Sequence, residues 1–138
     1  MKMPNVRPLN NKKYNISKHK FMEVYHHCLQ YQEWQDELKY KTDAVKSIEY
    51  GNEVHGSGPS GSSTERIAMR RAELAKKCEL IEQTVLETDK DLYQYLLKAV
   101  TTEYVTYKYL KEIMGMPAGK DMYYDRRKKF YYLMSKKI

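Results

Sequence analysis

From Lys18 onward the apolar positions follow a helical step. Phe21, Val24, Cys28, Tyr31, Leu38 and Val45 recur at alternating intervals of three and four, with polar Gln35 and Thr42 in two slots and Trp34 flanking the stripe. This is the narrow seam of an amphipathic helix, predicted over residues 18–49. Such a helix would be roughly 45 Å long, more than a small globule needs to cover itself, so a second long helix is expected along it. The segment "GNEVHGSGPSGSS", 51–63, interrupts the pattern with four of the six glycines and reads as a Gly/Ser loop. It lacks the Gly-Lys-Ser/Thr ending of a nucleotide loop, and no strand precedes it.

Beyond the loop, Ser62 with Glu65 three residues later forms a capping box. The seam resumes at Ile67, Leu74, Cys78, Ile81 and Val85, with Arg71 in the missing slot, and ends near Glu87. Two such helices form an antiparallel hairpin or pair across a dimer. Thr88 and Asp91 make a second capping box ahead of "LYQYLLKAVTTEY", in which Leu92, Leu96, Ala99 and Val100 share a face. In "TYKYLKEIMG", Tyr107, Leu110, Ile113 and Met114 point inward and Gly115 terminates the helix. A turn with Pro117 and Gly119 then leads into a last helix from about Lys120 almost to the end.

The predicted fold is all-α: a long N-terminal helical hairpin or arm followed by a C-terminal helix-turn-helix DNA-binding domain. Its parts are a flexible basic arm (1–17), the two amphipathic helices with their loop (18–87), and the DNA-binding domain (88–138).

Charge changes this picture from scaffold to binder. The chain of 138 residues has a formal charge of +7, and the excess sits at the ends. Residues 1–20 carry six Lys/Arg and no acid, and residues 105–138 carry nine against three, while the middle is slightly acidic. A basic surface of this kind suggests an anionic partner. On the last helix, Tyr123, Arg126, Phe130, Leu133 and Met134 fall on one side, where the Arg126 stem can cover apolar surface while its charge reaches water. The opposite stripe is Lys120, Tyr124, Arg127, Lys128 and Tyr131. A helix, a short Gly-containing turn and a second helix form the helix-turn-helix pattern, whose second helix enters the major groove. The candidate DNA-contacting residues are therefore Lys120, Tyr124, Arg126, Arg127, Lys128, Lys129 and Tyr131. The cations would serve phosphates and guanine, and the tyrosines phosphates or thymine methyls. A plain solvated basic face is the competing reading.

No catalytic constellation is found. His26 and His27 are adjacent and point about 100° apart, not at the i, i+4 spacing of a metal pair. His19 and His55 lie apart from both, and "ETDKD", 87–91, reads as helix-end charge. Cys28 and Cys78 are far apart on apolar helical positions and are expected to be reduced thiols of a cytoplasmic protein. No cofactor or metal is expected, and no enzyme activity. The basic N-terminus lacks an apolar stretch behind it, and no run reaches membrane-spanning length, so no membrane association is expected.

The segment "VTYKYLKEIMGMPAGKDMYYDRRKKFYYLMSKK" resembles the sigma-factor region-4 type of helix-turn-helix, in the form found at the C-terminus of small phage late-gene transcriptional activators of the RinA and ArpU type. The step "IMGMP", the block "YYDRRKKF", the closing "YYLMS" and the "SSTE" helix entry carry the resemblance, over about residues 62–138. Its turn is about one residue longer than the usual sigma-like turn. The resemblance implies binding to a promoter region and activation of late genes with host RNA polymerase, with Lys120, Tyr124, Arg127 and Lys128 as the contacting stripe. The partners expected are double-stranded DNA, RNA polymerase, and a second copy through the long helices. Two alternatives remain at this level: a small terminase subunit, although there the DNA-binding helices are commonly N-terminal, and a helical interaction protein whose basic ends bind acidic partners.

Overall fold

The computed structural model describes residues 13–40 and 61–138. Among them every regular element is helical: α1 (Lys18–Leu29), α2 (residues 31–40), α3 (Gly61–Thr88), a 3₁₀ turn (Lys90–Leu92), α4 (Tyr93–Thr101), α5 (Tyr107–Glu112) and α6 (Lys120–Ser135). The chain divides into two compact units, one formed by residues up to Gln30 together with Ile81–Ile138, the other by Tyr31–Leu80. By contacts α1 groups with the C-terminal helices, with boundaries at 30/31 and 80/81, whereas the sequence pattern suggests one at 87/88.

The first unit is built around α1, α4 and α6. Ser17 caps α1, its hydroxyl accepting from the Lys20 N–H at 3.1 Å. Two turns of apolar spacing then bury Phe21, Val24, Tyr25 and Cys28, and α1 packs on α6 and α4. The Phe21 ring meets Tyr131 of α6 edge-on, with centroids 4.9 Å apart, the arrangement aromatic quadrupoles favour. Tyr95, Leu96, Val100 and Thr101 bury the inner face of α4. Ile81, Thr84, Val85 and Thr88 do the same for the end of α3.

Four local expectations are corrected. The long helix over 18–49 is broken at Gln30, where the N–H turns back to the His27 carbonyl at 3.2 Å. No Gly or Pro marks the break, because the apolar seam reads continuously through it. Residues 41–49 and the expected loop through residue 60 lie outside the described residues, as do residues 1–12 of the expected arm. Residues 13–17 are docked, with Tyr14 and Ile16 buried and the Tyr14 ring 5.6 Å from Tyr132. Finally, α3 begins at Gly61, which puts Ser62 inside the helix, and Asp89 replaces Thr88 as the cap. The Thr88 hydroxyl donates to the Thr84 carbonyl at 2.7 Å, while Asp89 accepts from the N–H groups of Asp91 and Leu92.

In the second unit α2 and the first part of α3 run antiparallel. Arg70 pairs with Glu37 at 3.0 Å, Arg71 donates to the Leu38 carbonyl at 3.2 Å, and the Lys77 ammonium stands 5.2 Å from the Trp34 ring. Tyr31, Trp34, Leu74 and Cys78 are its buried residues. This pairing matches the hairpin alternative of the seam pattern within residues 31–40 and 61–80. Cys28 and Cys78 are both buried thiols.

Candidate nucleic-acid interface

The basic helix α6 is reached through α5 and a seven-residue connection, 113–119. Thr106 caps α5, accepting from the Tyr109 N–H at 3.1 Å, and Leu110 is its buried residue. The chain reverses at Gly115, whose φ of 72° lies in the left-handed region that glycine enters without a Cβ clash. The Met116 N–H bonds back to the Leu110 carbonyl at 2.9 Å, and Lys111 Nζ donates to the Met116 carbonyl at 3.3 Å. Met116 and Ala118 bury themselves beneath this reversal. Ile113, expected inward, is instead 71% exposed, because α5 ends before the position that would have turned it into the core.

Along α6 the expected DNA-contacting stripe is split in two. Its C-terminal half is an internal docking surface: Tyr131 is completely buried under Phe21 and Tyr25 of α1, with Phe130 beside it. Tyr131 is thus corrected from a contacting residue to a core residue. The reason is tertiary. The outer stripe of a helix is outer only if one neighbour covers the opposite side, and here α1 covers the arc that contains position 131.

The cationic run is divided in the same way. Arg126 Nε pairs with Asp89 at 3.0 Å and its Nη1 with Asp125 at 2.6 Å, so the guanidinium joins α6 to the residue that caps the α4 side of the chain. Lys129 Nζ donates to the Thr88 carbonyl at 3.2 Å, placing a positive charge at the C-terminal end of α3, where the helix dipole favours it. The Arg127 guanidinium lies over the Tyr131 ring, 5.1 Å from its centroid, a cation–π contact. Tyr124 is half-buried and meets Tyr123 edge-on at 5.0 Å. Lys128 is half-buried, and Lys120 is exposed in the first turn of α6, beside Asp121. Gly119 provides no side-chain cap there. Lys120, Arg127 and Lys128 form no ion pair with a described carboxylate.

In the sequence "ETDKD" reads as helix-end charge, which puts Asp89 at a helix end but shows neither its capping role, expected of Thr88, nor its pairing with Arg126. The pairing has no local signal, since 37 residues separate the two. Among the described residues no cluster of His, Cys, Asp or Glu could hold a metal ion, and no helix is long and apolar enough to cross a membrane.

The enclosed aromatic groups have a consequence for pH. Burial pushes the Tyr123 phenol from its ordinary 10.0 up to about 12, against the lowering effect of Arg127. It pushes the Cys28 thiol from 9.0 to about 12, and raises Tyr131 further. Each group is held neutral in the folded chain, whereas the unfolded chain ionises it at its ordinary value. Stability is thus fully present below about pH 9 and is lost as pH rises through about 12. Urea midpoints measured from pH 7 to 12 should fall only above this threshold. Tyr131→Phe should blunt the fall and also stabilise the neutral protein by about 1 kcal/mol, since the enclosed Tyr131 hydroxyl has no hydrogen-bond partner. An unchanged alkaline limb in that variant would contradict the assignment.

No known protein family, curated protein or solved structure matches the chain.

Proposed function

We propose that the protein is a sequence-specific binder of double-stranded DNA that regulates transcription, with the start of α6 as its contacting element. The observation that carries this reading is the open first turn of α6: Lys120 is exposed at a helix start without a side-chain cap, following a short helix and a glycine-dependent reversal. Backbone N–H groups at a helix start and an adjacent lysine suit a phosphate, and the first residues of such a helix are those that reach base edges. Lys128 and the half-buried Tyr124 extend the surface along the helix. The chain's net charge of +7 supplies the long-range attraction. The resemblance to phage late-gene activators adds host RNA polymerase as the second partner and promoter activation as the outcome.

One observation favours the reading of a helical interaction protein instead. Arg126 and Lys129 are occupied by Asp89, Asp125 and Thr88, and Arg127 by the Tyr131 ring, so three of the four consecutive cations have internal partners. Selection of random duplex DNA by the purified protein separates the two. A defined motif bound near physiological salt is the expected result, with Lys120→Ala/Lys128→Ala weakening it roughly 10-fold or more at unchanged thermal stability. Binding without a motif that fades steeply with salt would instead assign the basic ends to acidic partners of any kind.

A further inference from the structure

The connection between α5 and α6 sets where Lys120 stands, and α5 reaches across to it twice. The Tyr107 hydroxyl donates to the Ala118 carbonyl at 3.3 Å, and Lys111 Nζ donates to the Met116 carbonyl at 3.3 Å. Tyr107 and Lys111 lie one helical turn apart, so both side chains leave the same face of α5. One helix face therefore holds two carbonyls of the turn.

Little else fixes this stretch. After the bond from the Met116 N–H to the Leu110 carbonyl, the next backbone bond among the described residues joins the Tyr123 N–H to the Gly119 carbonyl, already the first of α6. Pro117 has no N–H to offer. Met116 and Ala118 are anchored by burial, while Pro117 between them is exposed. Side chains of α5 thus supply what backbone bonds do not. Tyr107 also touches α6 itself: its ring lies 5.9 Å from that of Tyr123, which is buried and meets Tyr124 edge-on. Lys120 is bracketed, since the Tyr107 hydroxyl holds a residue just before it and the Tyr107 ring contacts one just after.

We propose that Tyr107 and Lys111 are positioning residues for base recognition, holding the start of α6 so that Lys120 meets a base edge already in place. This inference rests on the DNA-binding reading of α6 and names what sets its specificity. Neither residue contacts the DNA; each acts through Lys120. A group ordered before binding loses less conformational freedom when it binds. Phosphate contacts carry no sequence information, whereas hydrogen bonds to base edges need a donor at a defined place. The effect of the two clamps therefore falls on sequence preference rather than on affinity for any duplex.

The test uses the full chain and takes the ratio of its affinity for the selected duplex to its affinity for random duplex. Tyr107→Phe keeps the ring against Tyr123 and removes only the donor to Ala118. The ratio should fall about 5-fold, the scale of one neutral hydrogen bond, while binding to random duplex and its salt dependence stay as in the wild type. Lys111 is exposed, so Lys111→Met removes the second clamp without endangering the fold and should lower the same ratio. In a Lys120→Ala background Tyr107→Phe should cost little more, because the group it positions is gone. An undiminished ratio in either Tyr107→Phe or Lys111→Met overturns the proposal and leaves the α6 reading intact. Fully additive losses in the Lys120→Ala background overturn it too, since they mean a route that bypasses Lys120. A wild-type chain that selects no motif overturns both this inference and the reading beneath it.

Discussion

Phe130→Ala is expected to destabilise the protein by about 3–5 kcal/mol, enough to unfold a domain of ordinary marginal stability. Phe130 is completely buried on α6, edge-on to Tyr131 at 5.3 Å, in the helix that α1 and α4 both pack against. Removing the ring takes apolar area out of the core and leaves a cavity that rigid neighbours fill poorly, and the two costs add. Phe130→Leu retains most of the volume and should cost well under half as much. Chemical denaturation of the three proteins measures the difference directly. Equal midpoints for Phe130→Ala and the wild type would show that α6 is not the helix around which this unit is packed. The loss should be accompanied by release of α1, because the same aromatic cluster holds both helices.

Asp89→Ala is expected to cost roughly 2–3 kcal/mol, the sum of a lost helix cap and a broken, largely enclosed ion pair. Asp89 performs both tasks with different oxygens: Oδ1 accepts from the Asp91 and Leu92 N–H groups, and Oδ2 pairs with Arg126 at 3.0 Å. Its side chain is only 12% exposed, so the guanidinium left behind would keep Asp125 alone as a partner. Asp89→Asn isolates the terms, because asparagine caps nearly as well as aspartate and carries no charge. A result near 1 kcal/mol for Asn and the full loss for Ala would apportion the two contributions. If Asn and Ala were equally harmful, the ion pair would account for the whole effect. The same pair of variants tests the origin of the "RRKK" block: a destabilised Asp89→Asn protein, in which the cap is kept and the charge removed, means that part of the block exists to join α6 to the turn before α4.

The cationic block thus has two roles that a charge count cannot separate. Arg126 and Lys129 are fastened to residues 88–89, and Arg127 lies on a ring. Lys120 and Lys128 are left to a partner. This division explains why a single pair of substitutions at Arg127 and Lys128 is a mixed experiment. Loss of Arg127 uncovers the enclosed Tyr131 ring, at about 0.5–2 kcal/mol for the cation–π contact, whereas Lys128 has no such ring contact and its loss chiefly removes charge. Lys120 with Lys128 is the cleaner pair for binding.

Helical content was legible in the sequence because amphipathic period and capping chemistry act over four or five residues. The seams through Phe21, Val24 and Cys28 and through Leu74, Cys78, Ile81 and Val85 are buried as their spacing required. The glycine-dependent reversal after α5 and the start of α6 at Lys120 were likewise written locally, in "IMGMPAGK". Less was legible wherever two segments distant in sequence compete for one surface. The pattern left α1 in a continuous 18–49 helix, whereas packing on α4 and α6 draws it into the C-terminal unit and the chain breaks at Gln30. The outer stripe of α6 could be drawn on a wheel, but only the position of α1 decided that Tyr131 belongs to the core. Asp89 could be recognised as helix-end charge, but only the fold brought it to Arg126 across 37 residues. Periodicity determines which residues of a helix are able to face a neighbour. The number and placement of neighbours, set by long-range burial of apolar surface, determine which of them do.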